Sequence, residues 1–325
     1  MKMLYRVAPA ILLFFFAPLV AEFVLGDLGF AEIGAFIALA PLYGGGAILI
    51  REIIRRTGRS WPSFALLGLG YALLEEGILT QSLFNPNYLH LRLIDYGFVP
   101  ALGTALPWAL FVLTIHIVWS LAVPTAMVEA ANPARRTEPW LRTPGLIVTS
   151  LLFLAGCLFV SRFSLGATDF RASPLELGTC AVLIVACVAG AFLLFPRRET
   201  DADETRGAAN PWAIGIASFA AGSVLQLANT LGKAHLTWAA TVALELLVII
   251  AILLFFRWIG SGRKWTALHS WAAAIGGLLC YVWVGYGVDR ALHGPEHALP
   301  HTVFVVLALL VAAWAGMRAK RAPAS

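Results

Sequence analysis

Residues 61–84 read WPSFALLGLGYALLEEGILTQSLF. As a helix rising ~1.5 Å per residue, this stretch is long enough to cross ~30 Å of hydrocarbon. Glu75 and Glu76 stand side by side within it. A charged side chain at the bilayer centre costs about 2.5–3.5 kcal/mol on insertion scales, and an intramembrane carboxylate marks function by default. The segment therefore predicts both a membrane helix and the place in it to look for chemistry.

The rest of the chain agrees with a membrane helix. Its 325 residues are 60% hydrophobic and 13% charged, with a mean hydropathy of +0.81. Soluble chains carry about 25% charged residues. The apolar residues come in blocks rather than in short alternating strands, which excludes a transmembrane β-barrel. Ten blocks can be drawn, at 8–25, 33–50, 62–84, 106–130, 145–163, 174–195, 211–229, 236–257, 267–288 and 301–317. The predicted fold is an all-α, polytopic integral membrane bundle of about ten transmembrane helices. The first block follows Lys2 and Arg6 as a signal peptide would, but it lacks a small-x-small site before Glu22 and reads as an uncleaved span.

Charge placement predicts orientation. Of the 23 lysines and arginines, only Arg92, Arg162, Arg171, Lys233 and Arg290 fall on one set of loops. The others fall on the alternate set and the two termini. This asymmetry predicts a multi-pass protein of the cell membrane with both termini cytoplasmic. It also accounts for the net charge of +5 without a nucleic-acid partner: the basic residues face anionic headgroups, and the partner they imply is the lipid bilayer. Cys157, Cys180, Cys187 and Cys280 lie inside apolar blocks without metal-like spacing, and read as buried small residues. The acidic stretch 196–210 reads as a polar linker. It divides an N-terminal bundle, 1–195, from a C-terminal one, 211–317, and a disordered tail follows at 318–325.

With spans so drawn, Glu75 lies about 14 Å from the outer end of its helix, His116 about 15 Å and Glu245 about 14 Å, at ~1.5 Å per residue. Three helices thus carry a titratable group at one level. Adjacent helical residues point about 100° apart, so Glu75 and Glu76 are not expected to face one partner together. Pro124 removes the helical partner of the Ser120 carbonyl and predicts a kink near His116. A carboxyl beside a histidine is a proton-transfer pair. It can also coordinate a metal, though one histidine with carboxylates is a thin set for zinc. The sequence names no cofactor. Gly44, Gly45 and Gly46 predict close helix packing. Arg51 and Glu52 are expected to be solvated at a span end. Glu22, Glu129, Glu176, Gln226 and Asp289 also fall near span ends, and none is given a role. His293, Glu296, His297 and His301 read as a wet interfacial loop. The loop from Asn85, which joins the helices of Glu75 and His116, is placed to cover the site.

The segment Glu75-Glu76-Gly77-Ile78-Leu79-Thr80 resembles the first motif of the CAAX-processing and bacteriocin-protection (CPBP) family of intramembrane proteases, two glutamates and then, after three residues, arginine. The resemblance implies that Glu75 or Glu76 activates a water, with His116 as partner. Thr80 stands where that motif has arginine. Val112 and Phe111 lie four and five residues before His116, where the second motif has phenylalanine four before. No later span carries His-x-x-x-Asn or Asp. The resemblance covers about 50 residues.

These features predict a membrane peptidase or hydrolase acting on a membrane peptide. Glu75, Glu76 and His116 would be its catalytic residues, supported by Glu245 and Ser120. The alternative is a transporter or proton-coupled permease for a small solute, using the same midplane groups. A third class is a scaffold whose polar groups satisfy one another.

Overall fold

The computed structural model describes residues 2–195, 209–261 and 264–322. Among them, ten helices are long and apolar enough to cross a membrane. Spans one to five are Arg6–Val24, Phe30–Thr57, Trp61–Leu79, Leu106–Ala131 and Thr143–Gly166; spans six to ten are Pro174–Leu193, Pro211–His235, Trp238–Gly260, Ala267–His293 and Pro295–Arg321. All ten coincide with the predicted blocks. Between spans three and four a short hairpin pairs Phe98–Val99 with Thr104–Ala105.

One end differs from expectation. Span three stops at Leu79, not Phe84. The chain then turns irregularly while Gln81, Ser82, Leu83, Phe84 and Asn85 stay buried. Non-helical backbone at membrane depth persists only where protein covers it, and here local bonds and a neighbour satisfy it. Phe84 and Asn85 donate N–H groups to the Gln81 carbonyl, at 3.0 and 2.9 Å. The Gln81 side chain accepts from the Ala172 N–H at 2.8 Å. Glu75 therefore sits in the last turn of its helix rather than at mid-span.

The two predicted bundles share one apolar core. It joins Leu13 and Phe16 of span one to Leu278 and Tyr281 of span nine and Ala308 of span ten. Trp119 of span four stacks on Tyr281 at 4.6 Å and donates to the Gly277 carbonyl at 2.8 Å. The glycines of span two allow the close approach expected of them: a Cβ at Gly44 would lie 2.1 Å from the Phe14 carbonyl oxygen. Spans five, six and eight instead expose Leu151, Leu158, Phe159, Val182, Leu247 and Leu254, a surface suited to lipid. The residues 196–208 of the predicted linker lie outside the described residues. Span ten stays helical to Arg321, so most of the described part of the expected tail is helix.

The arginine-rich end is closed by charge. Arg51 and Glu52, expected to be solvated, are 1% and 0% exposed. Glu129 accepts from Arg51 Nε at 2.9 Å and from Arg55 Nε and Nη2 at 2.8 and 2.5 Å. Glu52 accepts from Arg51, from Arg56 and from the Trp140 N–H, the last at 2.6 Å. The Arg51 guanidinium lies 3.3 Å over the Trp140 ring. Two carboxylates shared among three guanidiniums meet the requirement that buried charges be paired and fully hydrogen-bonded.

Candidate functional site

Among the described residues four π-helical turns interrupt the spans: Leu19–Val24, Ala40–Gly44, Leu74–Leu79 and His116–Ala122. Three of them lie beside or contain a proline, Pro18, Pro41 and Pro124. At Pro124 the missing N–H and the crowding fall on the Ser120 carbonyl inside the turn, so the helix absorbs an extra residue there. The fourth contains Gly77, whose added Cβ would meet Cys180 Sγ at 2.5 Å. Every one of these turns carries a polar residue of one cluster: Glu22, Tyr43, the Glu75-Glu76 pair, and His116 with Ser120. Single π turns inside α-helices recur at functional sites.

At the centre, His116 Nε2 lies 2.7 Å from Glu76 Oε1. His116 Nδ1 lies 3.1 Å from Ser120 Oγ and 3.5 Å from Glu75 Oε2. Both glutamates thus reach one imidazole, against the expectation that adjacent residues diverge: the turn Leu74–Leu79 is wider than an α-helical one, and the carboxylates address different ring nitrogens. Glu75, Glu76 and His116 are 3%, 7% and 6% exposed. The Glu76 carboxylate is held on its other oxygen by the Ser82 hydroxyl, with Thr80 Oγ1 at 3.4 Å. Thr80, at the position of the CPBP arginine, also donates to the Glu75 carbonyl at 3.0 Å.

Spans one and two add Glu22 and Tyr43, which carry no role in the sequence reading. The Tyr43 hydroxyl donates to Glu22 Oε1 at 2.5 Å, and its ring lies parallel to His116 at 6.0 Å. Tyr71 packs its ring 6.5 Å from His116. The Tyr71 hydroxyl and Glu75 Oε2 are buried without a hydrogen-bond partner. Sequence position places Glu22 near a span end, where polar residues are cheap. Only the shortened span three, which brings the site toward that end, makes it a neighbour.

Glu245 is not brought to this cluster. It is fully buried in span eight, and both its oxygens lack a hydrogen-bond partner. Ser120, by contrast, contacts His116 through its hydroxyl. The loop after span three passes near the site: Tyr88 carries a hydroxyl that burial pushes above its usual pKa, with Glu76 as a lesser cause. Leu89, Leu91, Phe98 and Leu102 of this loop are exposed. A cavity of about 440 Å³, lined in part by Phe84, Pro86, Ile94, Phe98 and Phe170, lies beneath it. Within the histidine cluster His301 alone is buried, edge-on to the Tyr286 ring at 4.9 Å, while Glu296 is exposed and His293 and His297 are half-buried. His293 lies 3.3 Å from the buried Asp289.

A family model described as an uncharacterized membrane protein family matches residues 11–324, and the chain belongs to that family. No CPBP model matches. No curated protein and no solved structure matches the chain.

Proposed function

We propose that this membrane protein is an embedded hydrolase that cleaves a peptide or related acyl bond of a membrane substrate. The observation that carries the reading is the line Glu76–His116–Ser120. A buried carboxylate bonds one nitrogen of an imidazole whose other nitrogen is held by a hydroxyl. A base oriented by a third group is the arrangement that activates a nucleophile. In the proposed reaction Glu76 takes a proton from water as its oxygen attacks the carbonyl carbon. The proton passes to the leaving group as the carbon–heteroatom bond breaks, which regenerates the carboxylate. His116 holds the base in position. The unpartnered Tyr71 hydroxyl is a donor for the oxyanion.

Proton-coupled transport is the second reading, favoured by the Tyr43–Glu22 bond, which extends the titratable groups onto spans one and two. Transport needs a path to both faces, and the paired charges of Arg51, Glu52 and Glu129 oppose one at the basic end. The test is reconstitution with a library of membrane-spanning peptides. Removal of the base by Glu76→Gln is expected to lower cleavage by about 10²–10⁴-fold in a protein that still folds. Absence of cleavage by wild-type protein, with proton flux that Glu75→Gln abolishes, decides for transport.

A further inference from the structure

We infer that Glu75, Glu76 and His116 hold one divalent transition-metal ion. As an account of catalysis this rests on the hydrolase reading; as a binding site it stands on geometry alone. One ligand atom from each residue lies within 4.8 Å of the other two, and all three residues are buried. Ligand bonds of about 2.0–2.2 Å put tetrahedral ligand atoms about 3.4 Å apart, so closure needs side-chain shifts of about 1 Å.

Three further observations point to a cation. The first is charge. Glu22, Glu75 and Glu76 gather around a single imidazole, and among the described residues no arginine or lysine forms a salt bridge with them. The second is the loosely held atom. Glu75 Oε2 is buried and meets His116 Nδ1 only at 3.5 Å, the outer limit of a hydrogen bond. Buried polar atoms so poorly satisfied are rare enough to call for an ion or a water. The third is the outer shell. Metal ligands are held by hydrogen bonds from behind, and here Ser82 and Thr80 hold the second oxygen of Glu76 while Ser120 holds the second nitrogen of His116. His116 Nε2 and Glu76 Oε1, which lie 2.7 Å apart, would both turn to the ion, which takes the place of their mutual contact. One imidazole and two carboxylates suit Zn²⁺, Mn²⁺ or Fe²⁺; Ca²⁺ takes six to eight oxygens. Three protein ligands leave a position for water.

The test uses the full chain in detergent, stripped with chelator and then titrated separately with Zn²⁺, Mn²⁺ and Co²⁺. Expected are one ion per chain by elemental mass spectrometry after desalting, and a rise in melting temperature on loading. With Co²⁺, visible d–d bands should appear that Glu75→Gln abolishes. Ser120→Ala, which keeps all three ligands, should weaken binding about 10–100-fold. Asp95→Asn, in the exposed loop, should bind as wild type. The inference is overturned if folded wild-type protein takes up no ion and shows no thermal shift, or if Ser120→Ala and the glutamine variants all bind like wild type. Metal-free protein that still cleaves removes the metal and leaves the hydrolase. Loaded protein that cleaves nothing removes the hydrolase and leaves the metal.

Discussion

The contact between Glu76 and His116 can be tested without knowing a substrate, by a double-mutant cycle on stability. The perturbations are Glu76→Leu, His116→Leu and both together. The pair is buried and its atoms lie 2.7 Å apart, the range of a charge-assisted bond, and such bonds contribute about 1.5–3 kcal/mol. Each single change also strands the partner in a dry site, at about 1–3 kcal/mol. Glu76→Leu also strands Ser82, and His116→Leu also strands Ser120. The cycle subtracts the losses at Ser82 and Ser120, which the double variant shares, and keeps the cost of stranding each partner, so the coupling should be at least about 1.5–3 kcal/mol. The assay is reversible unfolding in mixed micelles, followed by tryptophan fluorescence at constant denaturant slope. The control pairs His116→Leu with Glu245→Leu, which the structure places apart, and these should add within about 0.5 kcal/mol. Additivity of Glu76→Leu and His116→Leu to the same tolerance refutes the contact and the site built on it.

Three other outcomes follow from the same structure. Glu245→Leu should raise stability by about 1–3 kcal/mol, since it deletes a carboxyl buried without a hydrogen-bond partner; unfolding titration showing a loss would mean that Glu245 has a partner. Glu129→Ala should cost about 3–5 kcal/mol, because it leaves the buried Arg51 and the partly buried Arg55 short of their shared acceptor; a change under 1 kcal/mol in the same titration would mean that solvent reaches this end. Reporter fusions at both termini should read cytoplasmic from the distribution of basic residues, and a periplasmic or extracellular signal at either terminus would reverse the assignment.

The spans were legible because each answers to one local quantity, the run of apolar residues needed to cross hydrocarbon. Ten of ten fell where hydropathy put them. Glu75, Glu76 and His116 were legible for the complementary reason, as charges where charge is expensive. What hid Glu22 and Tyr43 was the ladder used to judge depth. Counting ~1.5 Å per residue from Phe84 placed the site at mid-bilayer, level with Glu245. The helix stops at Leu79, so the count began five residues too late, and the true neighbours stood nearer the span end. The burial of Arg51 and Glu52 was hidden for a similar reason. Position at a span end says solvated, while Glu129 and the carbonyls that receive Arg51 come from a segment about 80 residues away.

The π turns connect these errors. Each widens a helix by one residue, exchanges an α-helical bond for a longer loop, and changes which side chains face inward from that point on. A regular helix through Glu75 and Glu76 would divide the pair between two directions. The wider turn lets both meet His116, while the turn at His116 begins the segment that brings Ser120 under the same ring. Four such interruptions in one membrane bundle carry a cost in regular hydrogen bonding, and packing alone gives no reason for all four to bear polar groups of the same cluster. An arrangement of this kind is expected to persist where the polar cluster is itself selected. That weighs against a scaffold in which the polar groups merely satisfy one another, since Glu75 Oε2 at its centre meets His116 only at 3.5 Å.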